Sequence, residues 1–273
     1  MGATYSSVVL AKGPVGYWRL GESAGPAAVD ASGFGRHGTY NGNPAFGQPG
    51  GIVNDPDTAI GCNGPDSRDY VEIADPGDGV FSQPTSGLGL TVEVWMRPDA
   101  LVFPAQPSGP DFYMHWLGKC VTGSGQCEWG LRFYSKESQI RSNRISAYLW
   151  NADGKEGAGA YFQDDLTDMV GEWMHIVAVY EPGDKDTPGA GVRIYRDGVK
   201  KHGPPTQGTR YSDYDVVPIQ GTLPVRLGTR DAATRGEAAV GYLTGGLDEV
   251  AIYPYAFDDA QVLENYNAGQ ADD

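Results

Sequence analysis

Gly245-Gly246-Leu247-Asp248-Glu249-Val250-Ala251-Ile252-Tyr253 constrains the fold more than any other stretch of this chain. It reads as a Gly-punctuated strand whose apolar residues Leu247, Val250 and Ile252 are interrupted by two adjacent carboxylates. A carboxylate buried in such a strand needs a cation, an Arg or several backbone N–H groups to offset its desolvation. Asp248 is therefore expected to be either a member of a structural ion pair or a metal ligand.

Length leaves open two small domains or one large all-β domain, and composition favours the second. Forty Gly and nineteen Pro are spread along 273 residues, together with sixteen Tyr and six Trp, which suits many short strands joined by tight turns. With no linker-like segment and no internal repeat, residues 1–273 are read as a single domain with its core over about 5–269. A net charge of −15 and a pI near 4.5 argue against a nucleic-acid surface and suit hard cations bound through oxygen. No apolar run reaches the length of a membrane span, and Met1-Gly-Ala-Thr does not read as a signal peptide. Cys120 and Cys127 flank a Gly-rich segment that can turn back on itself, which admits a disulfide without requiring one; Cys62 reads as a small buried hydrophobe.

Alternation marks the strands. Tyr17 to Glu22 is the first, followed by a turn-rich loop, Val29 to Tyr40, in which Asp30 suits an Asx-turn and three glycines can aim backbone carbonyls at one point, as calcium requires. Asp69–Ile73, Leu90–Arg97, Trp129–Tyr134 and Ile145–Trp150 alternate cleanly. In Leu90–Arg97 the face carrying Glu93 and Trp95 is expected to be covered or to floor a groove. Arg132, Tyr148 and Trp150 likewise stand opposite their strands' apolar faces, a combination suited to sugar platforms as well as to packing. Glu172–Tyr180 is apolar throughout and reads as central, with His175 a satisfied core histidine. Asp197-Gly198 signals a hairpin. Leu223–Gly228 and the opening stretch supply further strands, and Phe257–Tyr266 reads as a short helix before a frayed tail.

Four motifs in order, Tyr17-Trp-Arg-Leu-Gly-Glu22 with Asp30-Ala-Ser-Gly33, Thr91-Val-Glu-Val-Trp95, Trp173 to Tyr180 with Tyr195-Arg-Asp-Gly198, and Gly246 to Tyr253, resemble the LamG-like jelly-roll family of the concanavalin A-like lectin and glucanase superfamily. The resemblance spans about Tyr5 to Gly269 and implies an all-β, two-sheet antiparallel sandwich with a short C-terminal helix. It departs from the family in elongated regions from Ala100 to Trp129 and from His202 to Thr222. It also implies a structural calcium ion shared by Asp30 and Asp248, with Gly33 and His37 as backbone carbonyl ligands and Glu22 as a further candidate.

Catalytic patterns are weak. No Glu-x-Asp-x-x-Glu is present for a retaining hydrolase, and Asp164, Asp165 and Asp168 read as solvated surface. No lyase motif surrounds His175 or Arg193, and no Gly-x-Ser-x-Gly supports a serine nucleophile. The expectation is a noncatalytic recognition module for a carbohydrate or a cell-surface or protein partner, extracellular or virion-associated, within a larger secreted or phage-tail assembly. A divergent glycoside hydrolase or polysaccharide lyase is the alternative. The expected groove is lined by some of Trp95, Tyr113, Trp116, Arg132, Tyr148 and Trp150.

Overall fold

The computed structural model describes residues 4–82, 89–103, 112–121, 123–154, 157–181, 191–201, 216, 219–230 and 241–271. In chain order they form helix α1 (Tyr5–Ala11), then strands β1 (Gly16–Trp18), β2 (Ala27–Ala28), β3 (Gly38–Asn41), β4 (Ala45–Pro49), β5 (Thr58–Asn63), β6 (Tyr70–Ile73), β7 (Leu90–Pro98) and β8 (Tyr113–Lys119). There follow β9 (Trp129–Tyr134), β10 (Ile145–Trp150), β11 (Gly157–Phe162), β12 (Met174–Glu181), β13 (Gly191–Arg196), β14 (Val199–Lys200), β15 (Val225–Leu227), β16 (Thr244–Tyr253) and helix α2 (Asp259–Gln270).

Two antiparallel sheets result, as expected. The first runs β14-β13-β12-β7-β16-β5-β4 with β1 added on β16, and the second runs β11-β10-β9-β8-β15-β6-β3-β2. The inner faces meet in the main core, where Val92, Val94, Ile176, Ile194, Leu247, Val250 and Ile252 pack with Trp116, Trp129, Leu131, Phe133 and Ala147. A second apolar cluster covers the outer face of the first sheet: Val177, Val179, Tyr17, Trp95 and Tyr253 lie with Tyr5 and Val9 of α1 and Val262 of α2. The Asp197-Gly198 signal is borne out, both residues taking positive φ (53° and 73°) between the paired strands β13 and β14.

Three expectations need correcting. The first strand ends at Trp18 rather than Glu22, because Leu20 turns into the left-handed region at φ 63° and takes the chain out of the sheet. The C-terminal helix does not fray after Tyr266. It starts from a capping box in which Asp258 and Gln261 satisfy each other's backbone N–H groups, and it continues to Gln270. Its last turn lies so close to the sheet that a Cβ on Gly269 would stand 2.5 Å from the Trp95 ring. Helix α1 was not expected at all; a seven-residue segment is stable only through its packing. Of the elongated regions, residues 104–111 and 202–215 lie outside the described residues.

Glu93 is the polar centre of the helix-covered face. It is fully buried, and its Oε1 accepts from Tyr5 Oη (2.9 Å) and lies 2.7 Å from His175 Nε2, while Oε2 accepts from Tyr253 Oη (2.6 Å) and Asn265 Nδ2 (2.7 Å). Burial alone would push this carboxyl up, yet the hydrogen bonds and charge of its neighbours outweigh that and hold it below the usual carboxylate range. One anion thus joins β7, β12 and β16 to both terminal helices.

The opening puzzle resolves at a β-bulge. The register of β16 against β7 shifts between Asp248 and Ala251, and Glu249 takes φ 52°. The extra residue lets Leu247, Val250 and Ile252 all face the main core. The ion pair expected of Asp248 is formed by its neighbour Glu249 instead: Oε1 accepts from Arg19 (2.9 Å) and Oε2 from Tyr17 Oη. Arg19 also pairs with Asp55 (2.8 Å) and Asp57 (3.1 Å). Asp248 receives one hydrogen bond, from Gly51 N at 2.8 Å, and its buried Oδ1 has no partner. Burial, and then the charge of Glu249, pushes Asp248 well up. Burial likewise pushes Glu249 up, to about 7, against the opposing pull of Arg19 and Tyr17.

Two predictions follow from these buried carboxylates. Glu93→Ala strands four donors at once and is expected to cost about 3 to 5 kcal/mol in urea unfolding; a loss below about 1 kcal/mol would contradict the central role of this anion. The second concerns pH. Carboxyls whose folded values are raised contribute stability that is fully present below their unfolded value of about 4 and is lost as pH climbs through their folded values, about 7 for Glu249. In chelator-treated protein, stability should therefore fall between about pH 4 and 7. Asp248→Asn should flatten that slope and add about 1 to 3 kcal/mol at pH 8, and an unchanged slope in thermal melts would refute the assignment.

Candidate ligand-binding face

Helices α1 and α2 cover the outer side of the first sheet, so the outer side of the second, over β8 to β11, is the face on which strand-borne polar and aromatic side chains can meet a ligand. Alternation decides which ones. In β9, Leu131 and Phe133 enter the main core, leaving Arg132 and Tyr134 outside; in β10, Ile145, Ala147 and Leu149 enter it, leaving Ser146, Tyr148 and Trp150 outside. Cross-strand pairing sets His115 opposite Arg132, Tyr113 opposite Tyr134 and Arg132 opposite Ser146.

Arg132 is the hub. Its guanidinium carbon lies 4.4 Å from the ring centroid of Tyr113 and 4.5 Å from that of Tyr148. Nε donates to His115 Nε2 at 2.9 Å, and Nη1 donates to Tyr134 Oη (2.7 Å) and Tyr148 Oη (3.2 Å). His115 must be neutral to accept that bond. Burial first, then the charges of Arg230 and Arg132, hold its imidazole well below the ordinary value. Tyr113, His115 and Arg132 are half-buried, whereas Tyr134, Tyr148 and Trp150 are buried behind them.

Beside this hub the rings of Tyr148 and Trp150 stack, with centroids 5.1 Å apart and planes inclined by 15°. They pack with the Cys120–Cys127 disulfide, which realises the sequence-level option. Arg230 places its guanidinium 4.9 Å from the Trp150 ring. The small residues beneath make this possible: a Cβ on Gly130 would stand 3.2 Å from Trp150 and 3.5 Å from the Arg230 chain.

Of the six residues expected to line a groove, four meet here: Tyr113, Arg132, Tyr148 and Trp150. The other two do not share this surface. Trp95 is 1% exposed beneath α2, between Tyr5, His175 and Tyr266, so the covered option holds for its face. Trp116 is fully buried in the main core, because it is in phase with inward-facing Met114, and a bulge between His115 and Leu117 sends Leu117 inward as well. His115, Tyr134 and Arg230 were missed. For the first two the signal was present, since both are in phase with Arg132 across paired strands.

The expected metal ligands divide. Asp30 is buried and hydrogen-bonded: Oδ1 accepts from Tyr17 N (3.0 Å), Ser32 N (2.9 Å) and Ser32 Oγ (2.5 Å), and Oδ2 from Arg36 N (2.9 Å). Burial pushes its carboxyl up, but these bonds prevail and hold it below the ordinary value. His37 Nδ1 accepts from Asp30 N at 3.0 Å, and Gly33 takes φ 90° in the intervening loop. Glu22 accepts from Val29 N and Tyr40 Oη. Asp248 Oδ1, by contrast, is the kind of orphaned oxygen that a cation satisfies. No three His, Cys, Asp or Glu side chains converge as a metal cage among the described residues.

The weaker catalytic candidates are accounted for structurally. Asp164 pairs with Arg196 (2.9 Å) and Lys201 (3.1 Å), Asp165 accepts from Thr167, and Arg193 pairs with Glu181 (2.8 Å). His175 is fully buried against Glu93.

No curated protein matches the sequence. Among solved structures, the chain is similar to one described as "Cell entry of botulinum neurotoxin type C is dependent upon interaction with two ganglioside molecules", with a TM-score of 0.64 at 10% identity, covering 97% of this chain and 53% of that one. It is also similar to the binding domain of botulinum neurotoxin DC in complex with SialylT (TM-score 0.59, 10% identity, 96% and 52% covered) and to the same domain in complex with rat synaptotagmin II (0.60, 10%, 96% and 52%). At such identity the likeness shows the fold alone, and the chain spans about half the length of these neighbours. The family model Laminin_G_3, of the concanavalin A-like lectin/glucanases superfamily, matches residues 65–263. That match covers well over half of the sequence, and the chain belongs to this family.

Proposed function

We propose that the chain is a noncatalytic recognition module that binds a glycan or a glycan-bearing surface partner on the outer face of β8 to β11. The observation that carries this reading is the half-buried Arg132 held by the Tyr113 and Tyr148 rings, with Tyr113 half-buried beside it and the buried Tyr148–Trp150 stack as its support. Aromatic faces stack on the apolar faces of sugar rings, while a nearby guanidinium supplies fixed donors to their oxygens. The neighbours' ganglioside, SialylT and synaptotagmin ligands support recognition as the class of function, although the matched half of those chains is not thereby their binding half. The proposal includes one domain over residues 1–273 and an extracellular or virion-associated setting within a larger assembly.

A structural calcium ion is also part of the proposal, on the Asp248 side. Its orphaned Oδ1, in the field of Asp57 and Glu249, favours a hard cation completed by carbonyl oxygens.

Glycan cleavage is the second reading, and one observation favours it: His115, Arg132, Tyr134 and Tyr148 converge on neighbouring strands, an arrangement that a lyase needs and that no sequence motif announced. A retaining hydrolase would need two carboxylates there. Among the described residues none hydrogen-bonds to Arg132.

The test is a glycan-array screen with product analysis on each hit. Binding without new chain ends, lost at least tenfold in Tyr148→Ala/Trp150→Ala, is the expected result; new unsaturated ends would establish the lyase instead, and unchanged affinity would place the site elsewhere. For calcium, the melting temperature should rise with excess calcium and fall after chelation, with Asp248→Asn insensitive to both. Identical melts for the wild type, with no metal in elemental analysis, would remove the ion.

A further inference from the structure

The chain carries 35 acidic against 20 basic residues, so an arginine without a carboxylate is unusual. Arg19, Arg36, Arg97, Arg193, Arg196 and Arg226 each form an ion pair. Arg132 forms none among the described residues: it makes three hydrogen bonds, to the neutral imidazole of His115 and to two phenols. Nε and Nη1 are thereby engaged. Nη2 has no hydrogen-bond partner among the described residues, on a side chain that is only half-buried.

The two flanking rings offset part of the cost of confining this charge. They do not neutralise it, and a partly desolvated cation is strongly favoured by an anion. Its position is over-determined: rings on two sides, an imidazole at Nε, two phenols at Nη1. Such rigidity limits the conformational entropy lost when Nη2 takes a ligand. Other cations add to the field, with Arg141 donating to Tyr134 Oη at 3.2 Å and Arg230 over Trp150.

We infer that the ligand of this face is an acidic sugar, bearing a carboxylate or a sulfate, and that Arg132 Nη2 pairs with its anionic group beside the half-buried Tyr113 ring, while the buried Tyr148 ring holds the guanidinium in place. This rests on the recognition reading above and specifies its ligand class. It also explains how a chain of net charge −15 can take an anion: the cation is fixed and local, so the long-range repulsion is screened at physiological salt.

The experiment is calorimetric titration of the whole chain with matched pairs: an oligogalacturonide and its carboxyl-reduced counterpart, sialyllactose and lactose, and a sulfated oligosaccharide with its desulfated form. At least one acidic member should bind tenfold or more tighter than its neutral partner, with affinity falling as salt is raised, and which acid wins identifies the anionic group. Arg132→Gln should abolish the preference and Arg132→Lys retain part of it; the wild-type comparison needs neither variant to fold. Equal binding of acidic and neutral members, or a preference surviving in Arg132→Gln, overturns the inference; if that binding is still lost in Tyr148→Ala, the recognition face itself stands. Absence of binding by every sugar overturns both.

Discussion

A single buried carboxylate decides which side of this sandwich is open. Glu93 sits at the middle of the first sheet with four donors around it, two of them supplied by helices from opposite ends of the chain. A buried charge is tolerated when every lone pair is used, and removing any donor strands the rest, so the constellation acts as a unit. It draws α1 and α2 onto the outer face of the first sheet, where Trp95, Val177, Val179 and Tyr253 would otherwise be exposed. The second sheet has no cover from these helices, and Tyr113, His115 and Arg132 on its outer side stay partly exposed.

Three ways of holding buried charge appear in the structure, and they separate structural from functional roles. Glu93 is fully satisfied, as is Lys119, buried against Asp75, Glu128 and the Gly221 carbonyl. Such groups give the fold a specific geometry without inviting a ligand. At the β16 bulge, four carboxylates gather about Arg19, and the surplus negative charge is met by raised proton affinity, which is where a cation would compete with protons. Arg132 is the opposite case, a cation held by neutral groups. Each imbalance sets the sign of the charge it would favour.

Much of the sandwich was legible because the strands that build its centre alternate. The bounds of β9 and β10 follow directly from the phase of Leu131 and Phe133 and of Ile145, Ala147 and Leu149. The spacing of Leu247 and Val250 by three rather than two carried the bulge, although its meaning emerges only when β7 is seen beside it. Trp95 and Trp116 were misplaced for different reasons. Trp95 is on an outer face, but helix α1 is too short to announce itself by periodicity. Trp116 is on an inner face, and its aromaticity suggested a platform where phase required core packing. Whether an arginine finds a carboxylate depends on residues far apart in sequence, as Arg19 does with Glu249, so that Arg132 has no carboxylate among the described residues could not be read from the chain alone. Asp30 shows the converse: the Asx-turn chemistry was visible, and the structure uses it to fill the carboxylate with backbone donors.

The measurement that bears most directly on this account is a map of amide hydrogen exchange with and without a bound acidic oligosaccharide, read strand by strand across both sheets. The account predicts slowed exchange concentrated in β8 to β11 and their connecting turns, with α1, α2 and the strands beneath them unchanged. Protection centred instead on the terminal helices or on the Arg19 cluster, with β8 to β11 unaffected, would contradict it.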